Sequence, residues 1–214
     1  STLIQHLNGL IRATEGKLFV DGENIYEKGY NMRALRTKVG LVFQYPEHQL
    51  FEIDVFQDVC FGPKNMGLSK DEIEQRAREA LGMVGLPESF YKKSPFELSG
   101  GMRQRVGVAM AMFFKPALLL ADEPTSALDV TTQAQVVNEM MDICQKDGTS
   151  IVLVTHNLGV AAYMSDQIMV MQNGSVVEHG TAEDVIEHPQ KDYTKELLRA
   201  VPQIGGERYD SIGA

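Results

Sequence analysis

The feature that most constrains this chain is a pair of neighbouring segments, Leu98–Arg105 and Leu118–Asp129. The first reads Leu-Ser-Gly-Gly-Met-Arg-Gln-Arg, in which a turn of small residues opens a helix. The second is an apolar run that ends in Asp122 and Glu123, followed by a loop that closes at Asp129. The run predicts a buried strand. Because ligands of parallel α/β sheets bind beyond the carboxyl ends of the strands, the two carboxylates mark a candidate site.

The order and spacing of these two segments resemble the signature motif, Walker B motif and D-loop of ATP-binding-cassette (ABC) ATPases. The resemblance implies an α/β fold: the P-loop NTPase core of the ABC type, with a mostly parallel sheet and a helical subdomain. Apolar strands at 38–43 and 150–155, which alternate with amphipathic helices, favour the same class. We expect a single ABC ATPase domain over residues 1–214, a helical subdomain at about 54–114 and a flexible tail at about 203–214.

Composition narrows the classes of partner. The 214 residues carry a net charge of −9, which disfavours a broad contact with nucleic acid, so no nucleic-acid partner is expected. Cys60 and Cys144 lie far apart in no metal-like spacing, and we expect buried thiols in a reducing compartment. The sequence contains no run of about 18 apolar residues, so we expect any connection to a membrane to run through a partner.

Asp122 and Glu123 have distinct predicted roles. A carboxylate fixed at the end of a buried strand suits Mg²⁺, which predicts Asp122 as a metal ligand. The adjacent Glu123 side chain leaves the backbone in another direction, and it is the candidate general base that polarises water. The alternative, that the pair are helix-capping acids, is disfavoured by the apolar run before them and by Pro124 after them.

The resemblance to ABC ATPases adds residues that serve ATP in the same subunit. Gln44 follows the predicted strand 38–43 and would begin the Q-loop, where its side chain reaches Mg²⁺ and the attacking water. His156 follows the strand 150–155 and would be the switch histidine that contacts the γ-phosphate. The resemblance therefore implies Glu123, His156 and Gln44 as catalytic residues.

A second group would serve the ATP of the opposite subunit. Glycines let the backbone approach an anion closely, and the N-terminus of the following helix favours negative charge. The resemblance to ABC ATPases implies that the backbone of the signature motif binds the γ-phosphate held by the other subunit. It therefore implies that the active unit is a dimer with two ATP molecules between its subunits. The residues expected to contact nucleotide here are Ser99, Gly100, Gly101, Gln104 and Asp129.

The chain begins with Ser1 and Thr2 ahead of a helical apolar pattern that runs to Ile11. In P-loop proteins the motif G-x-x-x-x-G-K-[ST] precedes such a helix. We interpret Ser1 and Thr2 as the last residues of that loop, with Ser1 offering its hydroxyl to Mg²⁺ and Thr2 reaching phosphate oxygens. The alternative is an ordinary N-capping serine.

Two branches of the ABC superfamily contribute to the resemblance. Residues 1–96 resemble the ATPases of energy-coupling-factor transporters, which import vitamins and transition-metal ions, and the segment 45–63 carries much of that likeness. Residues 97–202 resemble the ATPases of peptide and nickel importers. The family implies a second ABC ATPase subunit, identical or paralogous, and an integral membrane permease, with this chain peripheral at the cytoplasmic face.

Three functions are therefore weighed. The first is the ATPase subunit of an ABC importer, with ATP and Mg²⁺ as cofactors. The second is an ABC ATPase that acts on DNA or ribosomes, against which the segment 45–63 argues. The third is a nucleotide-binding or assembly module with impaired turnover. This would follow if Ser1 ends a P-loop, because the glycines and the lysine of that loop are then not among these 214 residues.

Overall fold

A computed structural model describes residues 2–200, so Ser1 and the expected tail at 203–214 lie outside the described residues. The chain divides into two compact units between Thr155 and His156. The first unit is built on a parallel sheet with the strand order β3-β4-β5. Its strands are β1 (Phe19–Val20), β2 (Glu23–Asn24), β3 (Val39–Val42), β4 (Leu118–Asp122) and β5 (Ser150–Val154). Its helices are α1 (Thr2–Leu7), α2 (Met32–Lys38), α3 (Val55–Lys64), α4 (Lys70–Met83), α5 (Gly100–Met112) and α6 (Val130–Asp147).

The central strand β4 is covered on both faces, which explains its uninterrupted apolar sequence. Side chains alternate across a strand. Leu119 and Ala121 therefore join the larger core with α3, α4, α5 and α6. Leu120, between them, joins a second core with Ile4 of α1 and Leu35 of α2. Parallel pairing places Val42 of β3 beside Ala121, so the next residues of both strands emerge at one edge.

The segment between β3 and β4 is mainly helical. It contains α3, α4 and α5, together with short 3₁₀ helices at Pro46–His48, Glu88–Phe90 and Pro95–Glu97. The start of α4 is capped as its sequence predicts, because the Ser69 side chain accepts a hydrogen bond from the Glu72 backbone N–H. α3, α4 and α5 fall within residues 54–114, and their assignment to a helical subdomain stays a prediction.

The N-terminal helix is shorter than the apolar pattern predicts. α1 ends at Leu7, and Gly9 adopts φ +69°, a conformation that glycine reaches without strain. Asn8 is buried and its Nδ2 donates to the Val39 carbonyl, 3.2 Å away. Leu10 and Ile11 are exposed and lie beyond the helix, so the expectation of a helical face through Ile11 is wrong.

The second unit is an antiparallel hairpin with three helices. Its elements are α7 (Leu158–Met164), β6 (Gln167–Gln172), β7 (Ser175–Thr181), α8 (Ala182–Glu187) and α9 (Asp192–Arg199). Asn173 and Gly174 join the strands with φ +50° and +79°, the two positive values that a type I′ turn requires. Ile168, Val170 and Val185 form its core. In residues 2–200, no helix is long and apolar enough to cross a membrane.

Candidate functional site

The carboxyl edge of the parallel sheet brings Gln44 and Asp122 together. Both line a cleft of about 300 Å³, whose other lining residues are Phe43, Tyr45, His48 and Gln49. Asp122 ends β4, and Gln44 lies two residues beyond β3, so the cleft forms where the two strands stop. Two of the residues predicted as Mg²⁺ ligands therefore share one cavity.

Glu123 is held in an uncommon backbone conformation at the same edge. Its φ is +50°, in the left-handed region that costs a non-glycine residue energy. Its backbone N–H donates to the Val154 carbonyl at 2.8 Å, which extends the β4–β5 ladder by one residue. The Thr155 hydroxyl donates to the Glu123 carboxylate, with an Oγ1–Oε2 distance of 3.5 Å. The carboxylate is thus tethered from the neighbouring strand end.

Gln44 is connected to Glu123 through a hydroxyl. Gln44 Nε2 donates to Ser126 Oγ at 3.0 Å, and Ser126 Oγ donates to the Glu123 backbone carbonyl at 3.1 Å. Because the amide nitrogen takes the Ser126 contact, the Gln44 side-chain oxygen keeps its acceptor capacity for another donor or a cation. Sequence reasoning missed Ser126 and Thr155, whose partners lie 82 and 32 residues away in the sequence.

The residues expected to serve an opposite subunit lie at the start of α5. Ser99 is exposed and caps the helix, accepting a hydrogen bond from the Met102 backbone N–H at 3.3 Å. Gly101 is buried, and a Cβ there would lie only 2.5 Å from Thr132 Cγ2. A Cβ on Gly100 would meet Leu128 Cδ2 at 3.4 Å, an ordinary contact. The packing of α5 against the start of α6 therefore requires glycine at position 101.

Asp129 caps α6 and also binds Thr132. The Asp129 carboxylate accepts hydrogen bonds from the Thr132 backbone N–H at 3.0 Å and from the Thr132 hydroxyl at 2.7 Å. These bonds lower the pKa of Asp129. Thr132 thus touches both Asp129 and Gly101, a role that the Asp-x-x-Thr capping pattern could have indicated.

Gln104 lies away from the exposed end of the signature helix. Its side chain is 1% exposed, and its Nε2 donates to the Phe43 carbonyl at a distance of 3.4 Å. The expectation that Gln104 contacts nucleotide does not fit this placement, because the amide is enclosed in the protein and faces the backbone beside Gln44. The Gln104 side chain instead joins α5 to the backbone at Phe43 inside the protein.

Two of the remaining expected site residues, Thr2 and His156, are exposed. Thr2 is exposed in the first turn of α1, and Ser1 lies outside the described residues. His156 begins the second unit and is exposed. It is followed by Asn157, whose side chain caps α7 by accepting from the backbone N–H groups of Gly159 and Val160.

Chemically, the cleft suits a hard cation that keeps water and phosphate ligands. Asp122 offers a carboxylate and Gln44 an amide oxygen, and Mg²⁺ prefers one or two such ligands together with substrate phosphates. Residues 2–200 contain no group of three or more His, Cys, Asp or Glu side chains placed to hold a metal by themselves.

An apolar surface follows the cleft in the chain. Phe51 and Ile53 are 62% and 84% exposed, and the Phe51 ring contacts the Phe61 ring edge to face at 4.7 Å. Asp58 of α3 holds the loop that carries Phe51 and Ile53. Its Oδ1 accepts hydrogen bonds from the backbone N–H groups of Phe51 and Glu52, each at 3.0 Å. Large apolar side chains presented together on a fixed loop are typical of a protein contact.

Comparison with known proteins identifies relatives along nearly the whole chain. The family model described as ABC transporter matches residues 1–126, and one described as an AAA domain, putative AbiEii toxin of a type IV system, matches residues 91–162. The energy-coupling factor transporter ATP-binding protein EcfA2 of Caldanaerobacter subterraneus subsp. tengcongensis is 41% identical over 204 residues, which cover 95% of this chain and 71% of that protein. EcfA2 of Bacillus cereus is 45% identical over 191 residues, covering 88% and 65%. The chain thus spans about two thirds of the length of these relatives.

Solved structures of ABC ATPases also resemble the chain. The structure of cbiO1 from Clostridium perfringens, described as part of the ABC transporter complex cbiONQ, superposes with a TM-score of 0.78 at 32% identity. It covers 92% of this chain and 76% of its own. The ATP-binding cassette MJ0796, in a dimeric post-hydrolysis state with ADP and Pi, gives a TM-score of 0.73 at 29% identity over 85% of this chain and 79% of its own.

Proposed function

Because the chain belongs to the ATP-hydrolysing, ATP-binding subunits of ABC transporters, we propose that it couples ATP hydrolysis to the import of a small solute. The α/β fold expected from the sequence, with a parallel sheet and the ABC type of P-loop core, is confirmed. The observation that carries the proposal is the carboxyl edge of the sheet, where Gln44, Asp122 and Glu123 lie together. The solute we propose is a vitamin, a metal ion or a peptide. The first two follow from the resemblance of residues 1–96 to energy-coupling-factor ATPases, and a peptide or nickel follows from that of residues 97–202.

In this proposal Asp122 and Gln44 hold Mg²⁺, which when bound neutralises charge on the phosphates of ATP. Glu123 orients the attacking water and accepts its proton, since its carboxylate is tethered by the Thr155 hydroxyl beside the cleft. Ser1, Thr2 and His156 would contribute phosphate contacts, with Ser1 also a metal ligand. Their assignment rests on the sequence resemblance.

A dimer completes the proposed site. Ser99 is exposed at the start of α5, where the helix N-terminus and the small Gly100 favour an anion of another molecule. Asp129 lies on the neighbouring start of α6, tied to the same place through Thr132. We assign these residues to the ATP held by a second ATPase subunit, identical or paralogous. The dimeric state described for MJ0796 supports this assignment.

The surface formed by Phe51, Ile53 and Phe61 is the proposed contact with a membrane permease. It follows Gln44 in the chain, so a movement of Gln44 with nucleotide would reach it over a short path. In this proposal the chain is a peripheral subunit at the cytoplasmic face of the membrane. The description of cbiO1 as part of a transporter complex supports the arrangement.

The test uses the full-length protein with its partner ATPase. A Glu123→Gln change should lower ATP hydrolysis by about 10²–10⁴-fold, the usual contribution of a general base, and should accumulate an ATP-bound dimer seen by size-exclusion chromatography. Glu88→Gln, an exposed change outside the site, should leave hydrolysis unchanged. Hydrolysis at the original rate in the Glu123 variant would overturn the assignment. Copurification with ribosomes or DNA instead of a permease would overturn the transport function.

A further inference from the structure

The signature helix α5 has a polar connection to the loop that carries Gln44. Gln104 is 1% exposed, and its Nε2 donates to the backbone carbonyl of Phe43, the residue before Gln44. A buried amide without a partner is costly, so a glutamine in this place depends on that acceptor. The contact joins residues 61 positions apart in the sequence.

The same face of α5 supports the rest of that loop. Gly107 lies three residues after Gln104 and therefore on the same side of the helix. A Cβ on Gly107 would lie 3.6 Å from Pro46 Cβ and 3.7 Å from Gln49 Oε1, so the loop backbone runs close along the helix. Gln49 Oε1 is buried and has no hydrogen-bond donor among residues 2–200. Packing holds this part of the loop, whereas Gln104 fixes its first residue.

Two further contacts join α5 to α6. Gly101 packs closely on Thr132, and Arg105 makes a bidentate ion pair with Glu139, with nitrogen–oxygen distances of 2.8 and 2.5 Å. Bidentate arginine–carboxylate pairs fix orientation as well as distance. The signature helix is therefore braced against α6 and, through Gln104, against the end of β3. A displacement at Phe43 has a direct path to Ser99.

We infer that Gln104 is a positioning residue that ties Gln44 to the signature helix and so connects the chain's own nucleotide site to the half-site that it offers to its partner. The inference rests on the proposed function. A shift of Gln44 with the nucleotide pulls on the Phe43 carbonyl, and Gln104 passes the shift to α5. Nucleotide bound in one site thereby alters the placement of Ser99 at the other.

The experiment compares full-length Gln104→Met with wild type and with Met110→Leu, a conservative change in the same helix. Methionine keeps the length of glutamine and removes the donor. Loss of one neutral hydrogen bond predicts a fall in kcat of about five- to tenfold, with the KM for ATP changed less than twofold. The Hill coefficient of ATP hydrolysis should fall towards one, because the two sites lose their connection. Met110→Leu should change neither quantity.

A second variant separates positioning from simple core packing. In Gln104→Glu the ionised carboxylate cannot donate to the Phe43 carbonyl, whereas the protonated carboxyl group can. Burial favours the protonated form, so the ratio of variant kcat to wild-type kcat should rise as the pH falls from 8 to 6. In Gln104→Met, which fills the same space but cannot donate at any pH, the ratio should be independent of pH and should stay low at pH 6.

The inference is overturned if wild type hydrolyses ATP and Gln104→Met keeps both its kcat and its Hill coefficient. It is also overturned if the Gln104→Glu ratio does not change with pH. Failure of the proposed function would give a different result, because the wild-type protein would then show no ATP hydrolysis with its partner ATPase present.

Discussion

At the scale of single residues, Glu123 combines a functional side chain with a strained backbone. A left-handed conformation costs a non-glycine residue about 1–2 kcal/mol, and two neighbours offset that cost here. The Glu123 N–H is bonded to the Val154 carbonyl, and the Glu123 carbonyl accepts from the backbone N–H and the hydroxyl of Ser126. Such strain at a reactive group aims a side chain that a relaxed strand would direct elsewhere.

This strain predicts an inverted order of stability. Glu123→Gly and Glu123→Ala both remove the carboxylate, yet the glycine variant should be the more stable by about 0.5–1 kcal/mol, because glycine adopts positive φ freely. Urea denaturation of the two proteins measures the difference. At the exposed Gln145 in α6 the same pair of changes should give the usual order, with alanine more stable. Equal stabilities at position 123 would contradict the strain.

Asp58 gives a pH-dependent prediction. Burial raises the pKa of its carboxyl group, and the N–H donors of Glu52 and Phe51 oppose that shift. Below the unfolded-state pKa of about 3.9 the group is protonated in both states, and the stability that it contributes is lost as the pH rises through the folded-state value. Asp58→Asn should therefore become more stable relative to wild type between pH 4 and pH 7. A stability difference independent of pH would show that the pKa of Asp58 is the same in the folded and the unfolded state.

At the scale of elements, the junction of α5 and α6 depends on a glycine facing a threonine. Gly101→Ala would place Cβ against Thr132 Cγ2 and should destabilise the protein by about 1–3 kcal/mol. Thr132→Ser removes that methyl group and keeps the hydroxyl that binds Asp129, so the double variant should recover most of the loss in thermal denaturation. Gly100→Ala, which meets only an ordinary contact, should be mild. Additive effects of the two changes would show that the elements do not meet there.

Several elements could be predicted because their signals are local. Ser69 caps α4 with its own neighbours, and Asn173-Gly174 defines its turn without help from the rest of the chain. α6 shows the limit. Its buried apolar residues begin only at Val136, yet the helix starts at Val130, because Asp129 acts as its N-cap and Val130 is 82% exposed. Periodicity detects the buried face of a helix and misses a first turn that faces solvent.

The same contrast holds for the candidate site. Asp122 and Glu123 are predictable, since an apolar strand ending in acids places them at the sheet edge. Gln104 shows why a motif is insufficient, because its neighbours in sequence say nothing of the Phe43 carbonyl that it binds. Ser126 and Thr155 are ordinary hydroxyl residues, and their roles depend on strand register, which only the folded chain supplies.

At the scale of the whole molecule, the proposed dimer divides each site between two subunits. A Glu123→Gln subunit keeps an intact signature, and a Gly100→Asp subunit keeps an intact base but presents a negative charge to the partner's phosphate. Each homodimer should therefore be inactive. Mixing the two full-length proteins should restore ATP hydrolysis, because a mixed dimer contains one complete site. For a wild-type protein that hydrolyses ATP without a second ATPase, mixtures as inactive as their parents would show that both half-sites come from one subunit.

Leu119 and Leu120 are consecutive in β4 and lie in different cores. Leu119 is surrounded by the helices that follow β3, whereas Leu120 packs with α1 and α2. In a sample with labelled leucine methyl groups, these two neighbours would act as independent NMR reporters on opposite sides of one strand. Contact with a permease at the surface of Phe51 should shift the Leu119 methyl signals first, and changes around α1 should shift those of Leu120. Two adjacent residues of one strand thus distinguish contact with the permease from changes around α1.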